Sequence, residues 1–407
     1  MRERMKNRLK PRKLCRAALL LLCTVSLALT VCASGPDLLP EDTPVMEQAR
    51  DLSPDTVSAD AAILTDGTGT VLFEKNADER LPMASTTKIM TALVVLRSWE
   101  DPDSPLTVPK EAIGIEGSSV YLYEGETLSV RDLLYALLME SANDAAVALA
   151  VGTSGTVEAF VEKMNETAAE LGLSDTQFKN PHGLACEGHY TTAHDLASLT
   201  AAALENKTFR EIVSTYKKEI PLRETEGVRL LVNHNKLLKS IPGCIGVKTG
   251  YTTDAGRCLV SAAERDGETL ICVTLSAPDD WNDHTEMLEW GFSRYETLTL
   301  SEIGEQYAVL PVVGGETEDP DGSASVAVKN TEALSVLVLR GGGEVTKKTE
   351  LPRFLYAPVE AGTPVGRTVY YRDGKKLGEV TLYTCGDVAL YQKPTLWQRI
   401  LGWFHRK

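Results

Sequence analysis

The chain has 407 residues, 43% hydrophobic and 24% charged, a globular composition long enough for two or three domains, which excludes a disordered or collagen-like protein. Its 42 basic and 57 acidic residues give a formal net charge of −15. No overall positive field attracts a polyphosphate, so nucleic acid is excluded as a partner.

Met1 to Ala33 carries eight Lys or Arg and one acid, and its apolar run Ala17–Val31 ends in Val31-Cys32-Ala33. This predicts an export signal cleaved before Ser34, with a retained membrane anchor as the alternative. Val31 sits poorly for lipidation at Cys32. Cleavage leaves a mature charge of −22 and five cysteines, Cys186, Cys244, Cys258, Cys272 and Cys385. Their odd number and wide spacing predict buried thiols more readily than a disulfide framework. The histidines form no metal-binding motif, and no metal or other cofactor is expected.

Residues Ser34 to Asp55 are rich in Pro, Asp and Glu and read as a solvated linker. A body is expected from Thr56 to Thr297. It opens with a hairpin, Ala61–Thr65 and Val71–Glu74 around Asp66-Gly67-Thr68-Gly69, followed by a helix over Ser85–Arg97. Helical periodicity recurs at Val130–Met139, Ala145–Val151, Val157–Leu171 and Thr192–Leu204, with a break at Glu140–Asp144. Strands are predicted at Ile245–Thr249, Leu259–Ala262 and Leu270–Leu275, then a closing helix over Trp281–Tyr295. The pattern is α+β, an antiparallel sheet with grouped helices.

From Leu298 to Leu390 only short strands are predicted, with Arg372-Asp373-Gly374-Lys375 as a hairpin turn: a small all-β domain without a cluster of reactive groups. In the tail Pro394–Lys407, Leu396, Trp397, Ile400, Leu401 and Phe404 share one helical face. Too short to span a bilayer, the tail reads as an amphipathic helix lying on a membrane surface.

Three groupings carry the chemistry: Ser85-Thr86-Thr87-Lys88 at a helix start, Ser141-Ala142-Asn143 between helices, and Lys248-Thr249-Gly250 on a strand entering a turn. Each alone reads as a cap, a polar turn or a strand end. A Ser-x-x-Lys arises roughly once or twice by chance at this length, and Ser214-x-x-Lys217 is taken as the chance match. Order and setting favour the joint reading. The spacing puts Lys88 one turn from Ser85, where a lysine acts as base if burial and a second cation, Lys248, lower its pKa. Ser141 can relay a proton, Asn143 can hold a carbonyl or the lysine, Lys248 and Thr249 suit a carboxylate, and Gly250 admits a close ligand backbone.

These groupings resemble those of the serine D-Ala-D-Ala carboxypeptidases, the low-molecular-mass penicillin-binding proteins. The likeness extends to Met83–Met90, Ser141–Ala150, Asn180-Pro181-His182-Gly183-Leu184, Asn233–Leu238 and Gly246–Thr252, and overall from Thr56 to Lys407. It implies a DD-peptidase fold and trimming of the terminal D-Ala from peptidoglycan stem peptides outside a bacterial cell membrane. The acyl-enzyme would form on Ser85, with Lys88 as base, Ser141 as relay and backbone N–H groups of Ser85 and Tyr251 as the oxyanion hole. β-Lactam antibiotics would acylate the same serine. Family members often carry a further arginine near the closing helix for the substrate carboxylate. Asp279–Asp283 contains none, which leaves that contact to Lys248 and Thr249. The competing readings are an endopeptidase on cross-links, a non-catalytic wall-binding protein and a β-lactamase. The last is disfavoured, because no glutamate between Asn143 and Lys248 has Asn four residues later.

Overall fold

The computed structural model describes residues 51–222, 227–317, 323–393 and 395–397. The expected export signal, most of the linker and most of the tail lie outside them. The described residues fall within a single compact unit.

Its centre is a five-stranded antiparallel sheet. The hairpin of β1 (Ala61–Asp66) and β2 (Val71–Lys75) pairs through β1 with a strand about 200 residues later, so the first and last strands of this sheet are neighbours. Two short pairs follow in sequence: β3 (Pro105–Thr107) with β4 (Thr127–Ser129), and β5 (Lys217–Leu222) with β6 (Gly227–Val232). The central sheet is completed by β7 (Cys244–Thr252), β8 (Gly256–Arg265) and β9 (Glu268–Leu275), in the order β2-β1-β9-β8-β7.

The three inner strands β1, β9 and β8 are apolar along most of their length because both faces are covered. Ala61, Ile63, Val260, Ala262, Ile271 and Val273 face one core, while Ala62, Leu64, Leu259, Ala263, Leu270 and Cys272 face the other. This is the period-two alternation of a strand buried on both sides. The larger core holds α1 (Lys88–Ser98), α2 (Val130–Met139), α3 (Asn143–Ser154), α4 (Val157–Glu170), α5 (Ala193–Leu204) and α6 (Lys207–Ser214). The second face is covered by the short α7 (Leu237–Ser240) and by α8 (Asp280–Arg294), through Leu237, Met287, Leu288 and Phe292. Side chains cap the helix starts: Ser129 accepts from Asp132 N–H, Thr156 from Ala159 N–H and Thr192 from Asp195 N–H.

The rest is all β. Strand β10 (Tyr295–Ser301) leaves α8 directly, so it crosses the boundary expected at residue 297. It pairs with β13 (Leu334–Leu339). A second sheet uses β11 (Gln306–Val313), β12 (Ser325–Asn330), β14 (Val345–Glu350), β15 (Leu355–Tyr356), β16 (Pro364–Arg372) and β17 (Lys375–Thr384), in the order β14-β16-β17-β12-β11-β15. Its core is Leu310, Val328, Tyr370, Val380 and Leu382. At the junction the Arg340 amide donates to Arg294 C=O at 2.7 Å and its Nε to Phe292 C=O at 3.1 Å.

Two expectations need correction. Asn143 is not in the gap between helices but is the first residue of α3, leaving Glu140–Ala142 as the break. All five cysteines are free thiols, but Cys186 and Cys385 are exposed. Cys186 lies on an open segment between α4 and α5, and Cys385 just beyond the end of β17, where no second layer covers them.

Candidate active site

Ser85 sits in a single 3-10 turn, Ala84–Thr87, and α1 begins only at Lys88. Ala84, just before it, holds φ +47°, a conformation that alanine adopts only at a cost of about 1–2 kcal/mol. The surroundings enforce it. Ala84 C=O accepts from Thr87 Oγ1 at 2.8 Å, and Thr87 Oγ1 is 2.8 Å from His189 Nε2. His189 Nδ1 accepts from Lys179 N–H, so Nε2 carries the proton and donates to Thr87. Burial lowers the His189 pKa to about 4, which keeps this tautomer neutral.

The turn is clamped from two further sides. Gly183, at φ +87°, lies so close that a Cβ there would sit 1.9 Å from Ala84 O, so no other residue fits. From the sheet, a Cβ on Gly250 would lie 3.1 Å from Ser85 N. Gly250 also lets the strand approach the Ser85 turn closely.

Lys88 is fully buried. Its Nζ lies 2.9 Å from Ser85 Oγ, 2.7 Å from Asn143 Oδ1 and 2.6 Å from His182 C=O. Burial, then the nearby Lys248 charge, hold its pKa well below the usual lysine value, with Asp144 opposing. Such a shift raises the share of free amine that can act as a base. Asn143 is itself fixed: its amide Nδ2 donates to Glu116 C=O at 2.6 Å and its backbone N–H to Ser118 C=O at 2.7 Å.

Sequence reasoning missed the part played by His182, whose contribution is a backbone carbonyl. Asn180 Oδ1 accepts from the N–H groups of His182 and Gly183, and Thr91 Oγ1 donates to Pro181 C=O, which together aim that carbonyl at Lys88. The Asn-Pro-His-Gly-Leu run was the available signal, since Asn before Pro marks a built turn.

Ser85 opens onto a cleft of ≈ 370 Å³ lined by Ser118, Ser141, His234, Lys236, Thr249, Gly250, Tyr251, Arg257, Asp280 and Trp281. Ser141, at φ +60°, is a second strained residue at the site. Lys248 is buried behind the cleft: its Nζ donates to its neighbour's Thr249 C=O at 2.8 Å, and burial lowers its pKa to about 7. Lys248 is thus partly neutral at neutral pH.

A half-buried cation of the cleft, Arg257, was also missed by sequence reasoning. It lies on β8 opposite Tyr251, and its Nε and Nη2 donate to Asp280 Oδ1 at 3.0 and 2.7 Å. Only strand register brings residue 257 to the cleft, and spacing along the chain does not reveal that. The chance match at Ser214 and Lys217 plays no part here: Ser214 ends α6, where its hydroxyl donates to Glu211 C=O, and Lys217 starts β5.

A turn-borne serine against a desolvated lysine, at the mouth of a cleft with cationic walls, defines a serine acyl hydrolase for an anionic substrate. The D-alanyl-D-alanine carboxypeptidase family of peptidases S11 matches residues 48–279, and the penicillin-binding protein 5 C-terminal domain matches residues 295–389. The chain is 35% identical over 352 residues to the D-alanyl-D-alanine carboxypeptidase DacF of Bacillus subtilis (strain 168), covering 84% of this chain and 88% of that one. Penicillin-binding protein 5 from Haemophilus influenzae superposes with a TM-score of 0.69 at 30% identity, covering 83% of this chain and 99% of that one. The Streptomyces K15 DD-transpeptidase gives a TM-score of 0.55 at 36% identity, covering 59% of this chain and 99% of that one. The chain belongs to the D-alanyl-D-alanine carboxypeptidase family, the low-molecular-mass penicillin-binding proteins.

Proposed function

We propose that this carboxypeptidase cleaves the terminal D-Ala from peptidoglycan pentapeptides through an ester on Ser85. Lys88 takes the hydroxyl proton as Oγ attacks the penultimate D-Ala carbonyl, and the oxyanion is held by the N–H groups of Ser85 and Tyr251. As the C–N bond breaks, Ser141 passes a proton to the leaving amine. Water then attacks the ester, giving up a proton as Ser85 regains its own. The observation that carries this reading is the 2.9 Å contact between Lys88 Nζ and Ser85 Oγ, with a desolvated lysine.

The carboxylate of the leaving D-Ala is assigned here to Arg257 with Thr249, because Lys248 faces its own strand and titrates near neutrality, whereas a guanidinium stays charged. β-Lactams acylate Ser85 and leave slowly. Export by Met1–Ala33 puts the enzyme outside the cell membrane, with the tail Pro394–Lys407 resting on the membrane surface.

The test is D-alanine release from a D-Ala-D-Ala peptide and from its C-terminal amide. Ser85→Ala should lower release by at least about 10³-fold, and Arg257→Gln should lower it about 10- to 100-fold for the acid but not for the amide. Release surviving in Ser85→Ala would refute the nucleophile. Equal losses on acid and amide in Arg257→Gln would refute the carboxylate contact.

A further inference from the structure

The edge of the β domain next to the chain's end is apolar and open. Val313 on β11 pairs with Tyr356 on β15, which puts both side chains on one face, and Phe354 meets Tyr356 edge-to-face with ring centroids 5.3 Å apart. Leu390 lies over Gly314, and the Tyr391 N–H donates to Gly314 C=O at 2.8 Å, so both adjoin this face. All five side chains are exposed, Tyr356 at 70%. Such a contiguous apolar patch marks a contact surface. Exposed Arg353 and Lys393 flank it, and the nearby acids include Glu316, bonded through its backbone to Ala389, and Asp387, three residues before Leu390.

The chain itself says what covers this face. Leu396 follows Tyr391 by five positions, a span of at most about 18 Å even if fully extended. Leu396 and Trp397 are both exposed, Trp397 at 74%. Any surface that takes up the apolar face of the tail must therefore lie within contact range of Tyr391. Tyrosine and tryptophan are the side chains that settle at the level of lipid headgroups.

We propose that Val313, Phe354, Tyr356, Leu390 and Tyr391 form a second membrane-contacting surface, which docks the β domain edge-on against the bilayer beside the tail. The inference rests on the reading that the tail lies on a membrane. Two contact points add their partition energies, and they fix the tilt of the domain where a lone helix on a tether would leave it free.

The test is co-sedimentation of Gln48–Lys407, which lacks the N-terminal apolar run, with mixed phosphatidylcholine–phosphatidylglycerol vesicles. The Phe354→Ser/Tyr356→Ser/Tyr391→Ser variant, with its tail intact, should partition about tenfold more weakly or worse. Tyr356→Asp alone should weaken it in the same direction. Penicillin acylation of Ser85 should be unchanged in both, which reports that they are folded. Partition equal to the parent's would overturn the proposal while leaving the tail reading intact. A parent that binds vesicles no better than a chain ending at Lys393 would instead refute the tail reading. A parent that is dimeric without vesicles, with a monomeric triple variant, would assign the patch to a second copy and overturn the proposal.

Discussion

Lys248 is buried with its ammonium on a single carbonyl, Thr249 C=O, among its described contacts, and its pKa falls to about 7. Its ordinary value is 10.5, so the unfolded chain binds a proton more tightly than the folded one. The destabilisation this causes is fully present below about pH 7, shrinks as pH rises and vanishes above about 10.5. Lys248→Met should therefore raise stability by about 1–4 kcal/mol at pH 6, and by little near pH 10. Urea melts at the two pH values check this, and a gain that did not depend on pH would contradict it. When protonated, Lys248 also helps lower the Lys88 pKa. Stability and the supply of unprotonated Lys88 are thus opposed at one side chain.

At the level of elements, the hairpin of β5 and β6 buries few side chains, Ile220 and Leu231 among them. An ion pair ties it to the loop before β4, and the Val232 N–H donates to Glu140 Oε1 at 2.6 Å. Arg229 donates to both oxygens of Glu126 at 2.6 and 2.8 Å and to the carbonyls of Val120 and Tyr121, and the Glu126 side chain is fully buried. The same loop carries Glu116 and Ser118, whose carbonyls hold Asn143. Arg229→Met should cost about 3–5 kcal/mol and should slow penicillin acylation of Ser85, whereas a loss of stability with unchanged acylation would separate the loop from the site.

This hairpin was also invisible to sequence reasoning, because Lys217-Lys218-Glu219-Ile220-Pro221-Leu222 shows too little alternation, and its partner for Arg229 lies 103 residues away. By contrast, β1, β2, α2, α4 and α5 were readable, since β1 and β2 are short apolar runs joined by a turn and the three helices begin at capping side chains. The three groupings around Ser85, Ser141 and Lys248 were legible because what they offer lies in side chains. The His182 carbonyl and Arg257 were not, because one is backbone and the other depends on register.

On the scale of the whole molecule, the catalytic body completes its own cores before β10 begins, with α8 closing the second face of the sheet. The β domain meets it at the Arg340 contacts and the continuous step from α8 into β10. The K15 enzyme, which aligns over 59% of this chain and 99% of its own, shows that a relative can consist of that body alone. A fragment Gln48–Arg294 should therefore fold and be acylated by penicillin, within about tenfold of the parent rate, though with the Trp290 region less protected. Loss of acylation in a fragment with native circular dichroism would make the β domain part of the catalytic machinery.

Three oxygens surround Lys88, and they are not alike. Asn143 Oδ1 and His182 C=O can only accept, whereas the Ser85 hydroxyl can accept or donate. An ammonium has three hydrogens and satisfies all three. A neutral amine has two, which stay with Asn143 and His182, and its lone pair is left pointing at Ser85 Oγ. The cage is thus complete in both protonation states with no heavy atom displaced. The proton can cross between oxygen and nitrogen while the surrounding framework stands still, so little reorganisation is added to the barrier for acylation.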